Sequence, residues 1–400
     1  MEEERRLIFH VDVNSAFLSW TSVKRLREGK SDLRNVPAII SGDPRLRTSI
    51  VAAKSIPAAK LGIHTGEASS MAMQKCRELV VAPPDGAWYK ECSRRFIAVC
   101  RDYTPVLEQA SIDECYLDMT GMGKLWPDPL RAAAAIRERV RTELGFTVNV
   151  GIAHNKLLAK MASDMEKPDK THTLFEDEIP RKLWPMPVGK LFLVGGHSAD
   201  RLRKAGIYTI GDLAACDMAS LSSLIGVRTA QLYHDFANGI DPSKVLDHPE
   251  EAKGYSASTT TEEDLADREK LHAILRELAD TAASRMRRDG FRTQCVGVKI
   301  RSGSFSNRTN RSHQKKLSQA SDITAEITGA AVALFDELWD GRTPLRLIGI
   351  SLTDVTKEQA VQLSLFGDAQ REKEKKADAA VDEIRRKFGG GAIHRGAPPL

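Results

Sequence analysis

The spacing of apolar and polar positions changes character along the chain. Residues 7–13, LIFHVDV, predict a short buried strand carrying Asp12 near its end, after which Phe17, Trp20 and Val23 recur at helical spacing. Residues 36–50 contain PAIISGDPRLRTSI, which predicts two strand-like pieces around a Gly-Asp-Pro turn. The following AAKSIPAAKLGI predicts a helix with Pro57 in its first turn. Residues 88–103 predict a helix, 107–119 two strands around a tight turn, and 129–144 an amphipathic helix with Ile136, Val140 and Leu144 on one stripe. A further strand is expected over 146–153, so the first part of the chain is a mixed α/β domain. Beyond Pro168 the texture turns to helices and glycine turns, with Ser198 expected to cap a helix that Gly206 ends. Residues 254–355 run strand, helix, strand, strand, helix, strand, the split β-α-β order of ferredoxin-like domains. The polar remainder carries one apolar pentad, QLSLF at 362–366, and a helical stripe of Val381, Ile384 and Phe388.

Length and composition narrow this picture. Four hundred residues suggest two to four domains. A formal charge of only +5 means that any nucleic-acid interface must come from local charge. It is found between Arg285 and Lys316, where ten Lys or Arg face a single acid, Asp289. Six cysteines lie scattered without a Cys-x-x-Cys pair, which argues for reduced thiols and against a disulfide framework or structural zinc. The acidic N-terminus and the lack of an apolar run of about 18 residues lead us to expect a cytoplasmic protein without a membrane span.

The stretch SIDECYLDM, residues 111–119, sets Asp113 and Glu114 into an otherwise apolar strand. Adjacent strand residues point to opposite faces, so both can serve one ion only where the chain bends. With Asp12 brought alongside, three carboxylates supply hard oxygen ligands for magnesium, and two such ions would suit in-line phosphoryl transfer. DVNSAFLS, SIDECYLD and GIAHNKLLAKMASDMEKP together, in this order and spacing, resemble the three palm motifs of the Y-family, lesion-bypass DNA polymerases, in the manner of bacterial polymerase IV and UmuC. The resemblance spans about residues 7–355. It implies an α/β (α+β) multidomain right hand: palm (1–15 and 81–167), small fingers (16–80), a helical helix-hairpin-helix thumb (168–245), a ferredoxin-like little finger (252–356), and a clamp-binding tail with a C-terminal helix (357–400).

The same resemblance implies a site. Asp12, Asp113 and Glu114 would be the catalytic carboxylates and, with the Val13 carbonyl, the ligands of two Mg2+ ions. Phe17 would be the steric gate against a 2′-hydroxyl, and Asn14, Ser15, Ala16, Phe17 and Lys167 would bind the nucleotide. The fingers depart from the pattern: Ala53, Ile56 and Ala59 stand where relatives of the polymerase IV type carry a threonine, a tyrosine and an arginine against the triphosphate, leaving Lys54, Lys60 or Arg47 to restore the charge. Lys156 and Lys160, four apart on one helix face, are candidates for DNA phosphates or for solubility alone. LVGGHSADRLRKAGI resembles a helix-hairpin-helix, with Gly195, Gly196 and His197 at DNA phosphate. Lys299, Arg301, Arg308, Arg311, Lys315 and Lys316 would lie against the duplex backbone. Gln362, Leu363, Leu365 and Phe366 resemble a peptide that binds the sliding clamp (β subunit).

Expected partners are therefore primer-template DNA, dNTP, the clamp and accessory recombinase or mutasome proteins, with the chain a monomer. The function implied is translesion synthesis by a template-directed polymerase of low fidelity, without proofreading. The alternative is a clamp-associated DNA-binding protein with weak or partner-dependent synthesis. A palm-type nucleotide cyclase shares the carboxylates but leaves the basic domain and QLSLF unexplained.

Overall fold

The computed structural model describes residues 5–248, 250–302, 309–357 and 368–393. The chain divides into two compact units, Met1–Glu250 and Glu251–Leu400.

The first unit holds strands β1 (Ile8–Val13), β2 (Ala38–Ile40), β3 (Ala53–Lys54), β4 (Val80–Ala82), β5 (Leu107–Gln109), β6 (Glu114–Asp118), β7 (Val148–Ala153) and β8 (Thr171–Thr173). Five of them form one sheet in the order β5-β6-β1-β7-β8, with β1 antiparallel to both of its neighbours. Every residue of β1 is buried, because both faces of this sheet are covered. Phe9, Val11 and Val13 point into an apolar core with Phe96 of helix Gly86–Arg101 and Ile136 of helix Pro129–Arg139. Their alternates Ile8, His10 and Asp12 face helix Lys156–Ser163.

That helix lies so close because residue 151 is glycine: a Cβ there would stand 1.9 Å from the Ala159 carbonyl oxygen. The amphipathic segment 129–144 becomes an α-helix to Arg139 followed by a π-turn over Val140–Leu144, with Ile136 and Val140 buried as expected. Residues 36–50 give only one of their two expected strands. β2 forms, but its antiparallel partner is Ala53–Lys54, and Ile50 makes just an isolated bridge to Ala68. Ala53 is consequently a strand residue, and the helix expected to include it is confined to Ile56–Lys60, capped by the Ser55 hydroxyl.

Short helices occupy the segment after β8. Helix Gly196–Lys204 begins at Gly196 with Gly195 as its cap, so Ser198 sits inside the first turn, where its hydroxyl lies 3.3 Å from the Tyr233 Oη, rather than capping it. Gly206, at φ +84°, follows the helix end.

In the second unit, β9 (Tyr255–Leu265), β10 (Arg292–Ser302), β11 (Thr309–Ser321) and β12 (Leu345–Thr356) form an antiparallel sheet ordered β11-β10-β12-β9. β9 and β10 are thus parallel with β12 between them, as in the expected split β-α-β. Helices Arg268–Arg288 and Thr324–Leu338 cover one face through Val296, Val298, Ile300, Ile348 and Ile350. A terminal helix, Asp368–Phe388, packs on this unit through charge. Arg287 bonds Asp382 at 2.7 Å and lies 3.4 Å from buried Asp378, Arg385 meets Asp280 at 2.6 Å, and Arg371 meets Glu326 at 2.8 Å. Of its apolar stripe, Val381 and Ile384 are half-buried and Phe388 is exposed.

Candidate active site

The antiparallel register sets Asp12 opposite Glu114 on one side and opposite Asn149 on the other, so the three side chains share the face covered by helix Lys156–Ser163. His10, two residues earlier, joins that face. Its Nδ1 lies 2.7 Å from the Ser163 Oγ, whose own hydroxyl donates to the Lys160 carbonyl at 2.8 Å. The imidazole must then donate through Nδ1–H, leaving Nε2 a buried lone pair without a hydrogen-bond partner, 3.9 Å from the Glu114 carboxyl. Burial, then the cations Lys160 and Lys167, hold its pKa well below the usual histidine range. A neutral histidine beneath the acids adds no positive charge to the site.

Lys160 supplies that charge. Its ammonium bonds Glu114, stands 3.4 Å from Asp12 and 3.4 Å from Asp164, and is buried. Burial lowers its pKa, yet the surrounding Glu114, Asp12 and Asp164 more than reverse this and keep it protonated. Glu114 moves the other way: burial, then the adjoining Asp12 carboxyl, push it above the ordinary carboxylate range against the pull of Lys160. Lys167 completes the pattern 3.1 Å from Asp12 and 2.8 Å from Asp164.

Asp113 precedes β6 in the turn after β5. Its carboxylate accepts the Ser111 hydroxyl at 2.7 Å, and its carbonyl accepts the Val13 N–H at 3.0 Å, which ties the turn to the end of β1. Asp12, Val13 and Asp113 thereby line one side of an open cleft of about 410 Å³. Ser15, Ala16 and Phe17, at the start of helix Ala16–Arg27, line it too, as do Ala53, Lys54, Ile56 and Ala59 from the second sheet and helix, and Lys167. The three departures from the family pattern therefore do face the cleft, but with methyl groups and a sec-butyl chain in place of hydrogen-bonding groups. Of the cations weighed as substitutes, Lys54 lies on the cleft wall and makes no ion pair among the described residues, whereas Lys60 and Arg47 are not part of that wall.

The first turn of helix Ala16–Arg27 has no side-chain cap and no acid, and it starts from Ser15 in the left-handed region at φ 47°. Its free N–H groups give the cleft a positive end. Phe17 is half-buried, with its ring stacked on Tyr89 at a centroid distance of 4.7 Å and an interplanar angle of 18°. The Tyr89 hydroxyl lies 2.8 Å from the Thr21 Oγ, which donates to the Phe17 carbonyl at 2.7 Å. Tyr89 thus stacks on the Phe17 ring and contacts the threonine that holds the Phe17 carbonyl.

One expected member of the site is turned away from the cleft. Asn14 is buried: its side chain bonds Asn149, Thr147 and the Asp169 N–H, so it joins β1, β7 and the loop before β8 instead of facing the cleft. Glu114 is turned to Lys160, and among the described residues no three acidic, histidine or cysteine side chains converge to hold a metal ion. What Asp12 and Asp113 offer is a pair of carboxylates with the Val13 backbone beside them, an all-oxygen donor set that fits a hard divalent cation and not zinc or copper.

The lysine pair at 156 and 160 is likewise not a phosphate-facing patch. Lys156 bonds Glu108 at 2.7 Å and lies over the Tyr116 ring. His10, Asn149 and Ser163 carry no motif signal in the sequence, although strand alternation from Asp12 sets His10 on the same face.

Gly195, Gly196 and His197 are exposed at a helix start. Neither glycine has a positive φ, and a Cβ on either would meet nothing within 4 Å, so internal packing does not require them. On β10 and β11 the register sorts the basic residues by face. Lys299, Arg301 and Lys316 share the open face, while Arg311 and Lys315 lie opposite Ile300 and Val296 on the helix-covered side. Arg287 and Arg292 are spent on Asp382 and Asp322, so the basic excess is smaller than the sequence count. Arg308 and the pentad Gln362, Leu363, Leu365 and Phe366 lie outside the described residues.

Comparison with known proteins gives a consistent picture. A model of the impB/mucB/samB family matches residues 11–164, and the model of that family's C-terminal domain matches 252–365. DNA polymerase IV of Clostridium acetobutylicum is 42% identical over 395 residues, covering 98% of this chain and 97% of its own. DNA polymerase IV 1 of Bacillus subtilis (strain 168) is 35% identical over 405 residues, covering 99% and 94%. Among solved structures, the Y-family DNA polymerase chimera Dbh-Dpo4(243-245)-Dbh aligns with a TM-score of 0.75 at 22% identity, over 88% of this chain and 100% of that one.

Proposed function

The chain belongs to the impB/mucB/samB family of Y-family DNA polymerases, and from that premise we propose that it is a template-directed translesion polymerase whose chemistry runs in the cleft between Asp12, Asp113 and Phe17. The observation that carries the assignment is the meeting of two carboxylates, an aromatic ring and two lysines in one cleft.

Its substrates are DNA and deoxynucleoside triphosphates, and it requires a divalent metal. In the proposed reaction the primer 3′-hydroxyl attacks the α-phosphorus and pyrophosphate leaves. Asp12, Asp113 and the Val13 carbonyl would hold Mg2+, with Glu114, the cross-strand neighbour of Asp12, as the third carboxylate. Bound there, Mg2+ would favour ionisation of the 3′-hydroxyl and neutralise charge on the phosphates.

The chain's own groups do the rest. Lys167 and Lys54 pair with the triphosphate as point charges, and the free N–H groups around Ala16 and Phe17 donate to its oxygens. Phe17, backed by Tyr89, fills the space a 2′-hydroxyl would need. The small side chains of Ala52, Ala53 and Ala59 leave the cleft open, which suits damaged templates and low fidelity. Gly195, Gly196, His197, Lys299, Arg301 and Lys316 contact DNA phosphates, and the QLSLF segment binds a sliding clamp.

Primer extension on an undamaged template with Mg2+ and each dNTP tests the reading beside an Asp113→Ala control. Templated addition that the control loses is expected; DNA binding with no addition would refute it. Lys54→Ala should raise the apparent KM for dNTP about tenfold with kcat little changed, while Lys60→Ala should not.

A further inference from the structure

The turn Ser111–Asp113 separates two cavities. The cleft lies on the Asp113 side. On the other side, beginning at Ile112, is a groove of about 720 Å³ between helix Gly86–Arg101 and the end of β5, lined by Lys90, Arg94, Arg101, Asp102 and Gln109. The expected DNA-binding residues of the thumb and of the second unit have no part in it.

Its charge can be summed from the contacts. Arg94 is held by Glu91 at 2.8 Å, and Asp102 by Arg139 at 3.1 Å, so both of those charges are already offset. Lys90 and Arg101 are exposed and make no ion pair among the described residues. The groove therefore carries two uncompensated positive charges on one helix, separated by 11 positions, or about 16 Å at 1.5 Å per residue. A solvated helix face also carries lysines and arginines, but here the free cations flank a concave surface that opens beside the turn carrying Asp113.

We propose that this groove holds the sugar-phosphate backbone of the primer strand just behind its 3′ end, with Lys90 and Arg101 on phosphates. The inference rests on the polymerase reading: Asp113 lines the cleft and its neighbour Ile112 lines the groove, so a strand whose 3′-hydroxyl reaches Asp113 has this electropositive surface immediately beside it. Gln109, whose side chain donates to the Ser111 carbonyl at 3.0 Å, braces the turn between the two cavities.

The test is equilibrium binding of primer-template DNA without dNTP across a salt series, for the whole protein and a Lys90→Ala/Arg101→Ala variant. Each phosphate contact adds about 0.9 to the slope of log affinity against log salt, so losing two should flatten it by about 1.8. Between 50 and 200 mM salt the parent should then lose about 12-fold more affinity than the variant. A Lys90→Arg/Arg101→Lys variant should keep the parental slope, and thermal unfolding should be unchanged in both because the side chains are exposed.

Neutral methylphosphonate linkages near the primer 3′ end assign the strand. They should weaken the parent but add little to the alanine variant, whereas the same linkages in the template should weaken both equally. An unchanged salt slope, or primer and variant effects that simply add, would overturn the proposal. Templated extension by the parent reports separately on the polymerase reading, so a protein that extends primers but shows no slope change loses only the groove.

Discussion

Replacing Gly151 with alanine tests how the carboxylate face is assembled. The new Cβ would stand 1.9 Å from the Ala159 carbonyl oxygen and 2.5 Å from the Ser163 nitrogen, where real Cβ contacts stay beyond 3.0 Å. The obstacle is helix backbone, which has no rotamer to yield, so helix Lys156–Ser163 must lift from β7 by about 1.1 Å. Such a lift stretches the Asn149–Ser163 bond, now 3.0 Å, and draws Lys160 away from Asp12 and Glu114. Overpacking against backbone belongs at the upper end of its usual range, about 3 kcal/mol. For a unit of this size that lowers Tm by about 6–12 °C. A displacement of about 1 Å among catalytic groups costs on the order of 100-fold in kcat/KM. Calorimetry and single-nucleotide extension read both effects. Gly329→Ala is the matched control: Gly329 is exposed inside helix Thr324–Leu338 with nothing within 4 Å of its Cβ, and alanine there should stabilise by about 1 kcal/mol. A Gly151→Ala protein with parental Tm and activity would refute the account of how this helix is seated.

Other outcomes follow from the same geometry. Phe17→Ala should raise ribonucleotide incorporation by about 100-fold, and Tyr89→Leu by about 10-fold through loss of the stacked ring, measured as kcat/KM ratios for rNTP and dNTP; equal discrimination in all three proteins would dismiss Phe17 as the gate. Lys160→Met should destabilise by about 3 kcal/mol, because two neighbouring carboxyls lose a buried counter-charge, and added Mg2+ should narrow the deficit in thermal melts. Burial pushes the Cys92 thiol up to about 12, so at pH 8 only about one molecule in 10⁴ is thiolate. Iodoacetamide should therefore leave Cys92 unmodified in the folded protein, and its labelling seen by mass spectrometry would contradict the packing.

The elements legible in the sequence were those with a strong period. β1, helix Gly86–Arg101 and the six-element order of the second unit were readable because apolar spacing alone specifies them. The strand pairing around residues 36–54 was not, since β3 has two residues and its partner is chosen by packing of Ile40 and Ala53 in one apolar cluster rather than by the Gly-Asp-Pro turn. For the site, Asp12, Asp113, Phe17 and Lys167 were named from motifs and do share one cleft. The surroundings of Asn14 and Lys160 are hidden for a common reason: a polar residue with a buried partner looks, in sequence, like one that faces solvent or ligand. Asn14 spends its amide on Asn149, Thr147 and the Asp169 N–H, and Lys160 its ammonium on Glu114 and Asp12, none of which is near in sequence.

The docked C-terminal helix changes how a shortened chain should be interpreted. Cutting after Thr356 would remove the QLSLF segment, but it would also strip Asp378 and Asp382 from Arg287 and leave Asp280 without Arg385. The shortened protein would expose the Arg287 cation on the same domain that carries Lys299 and Arg301, and would take from Asp280 its Arg385 partner. Tighter nonspecific DNA adhesion and a softer domain would then accompany any loss of partner binding. Point changes at Leu365 and Phe366 keep these effects apart, whereas truncation merges three perturbations into one phenotype.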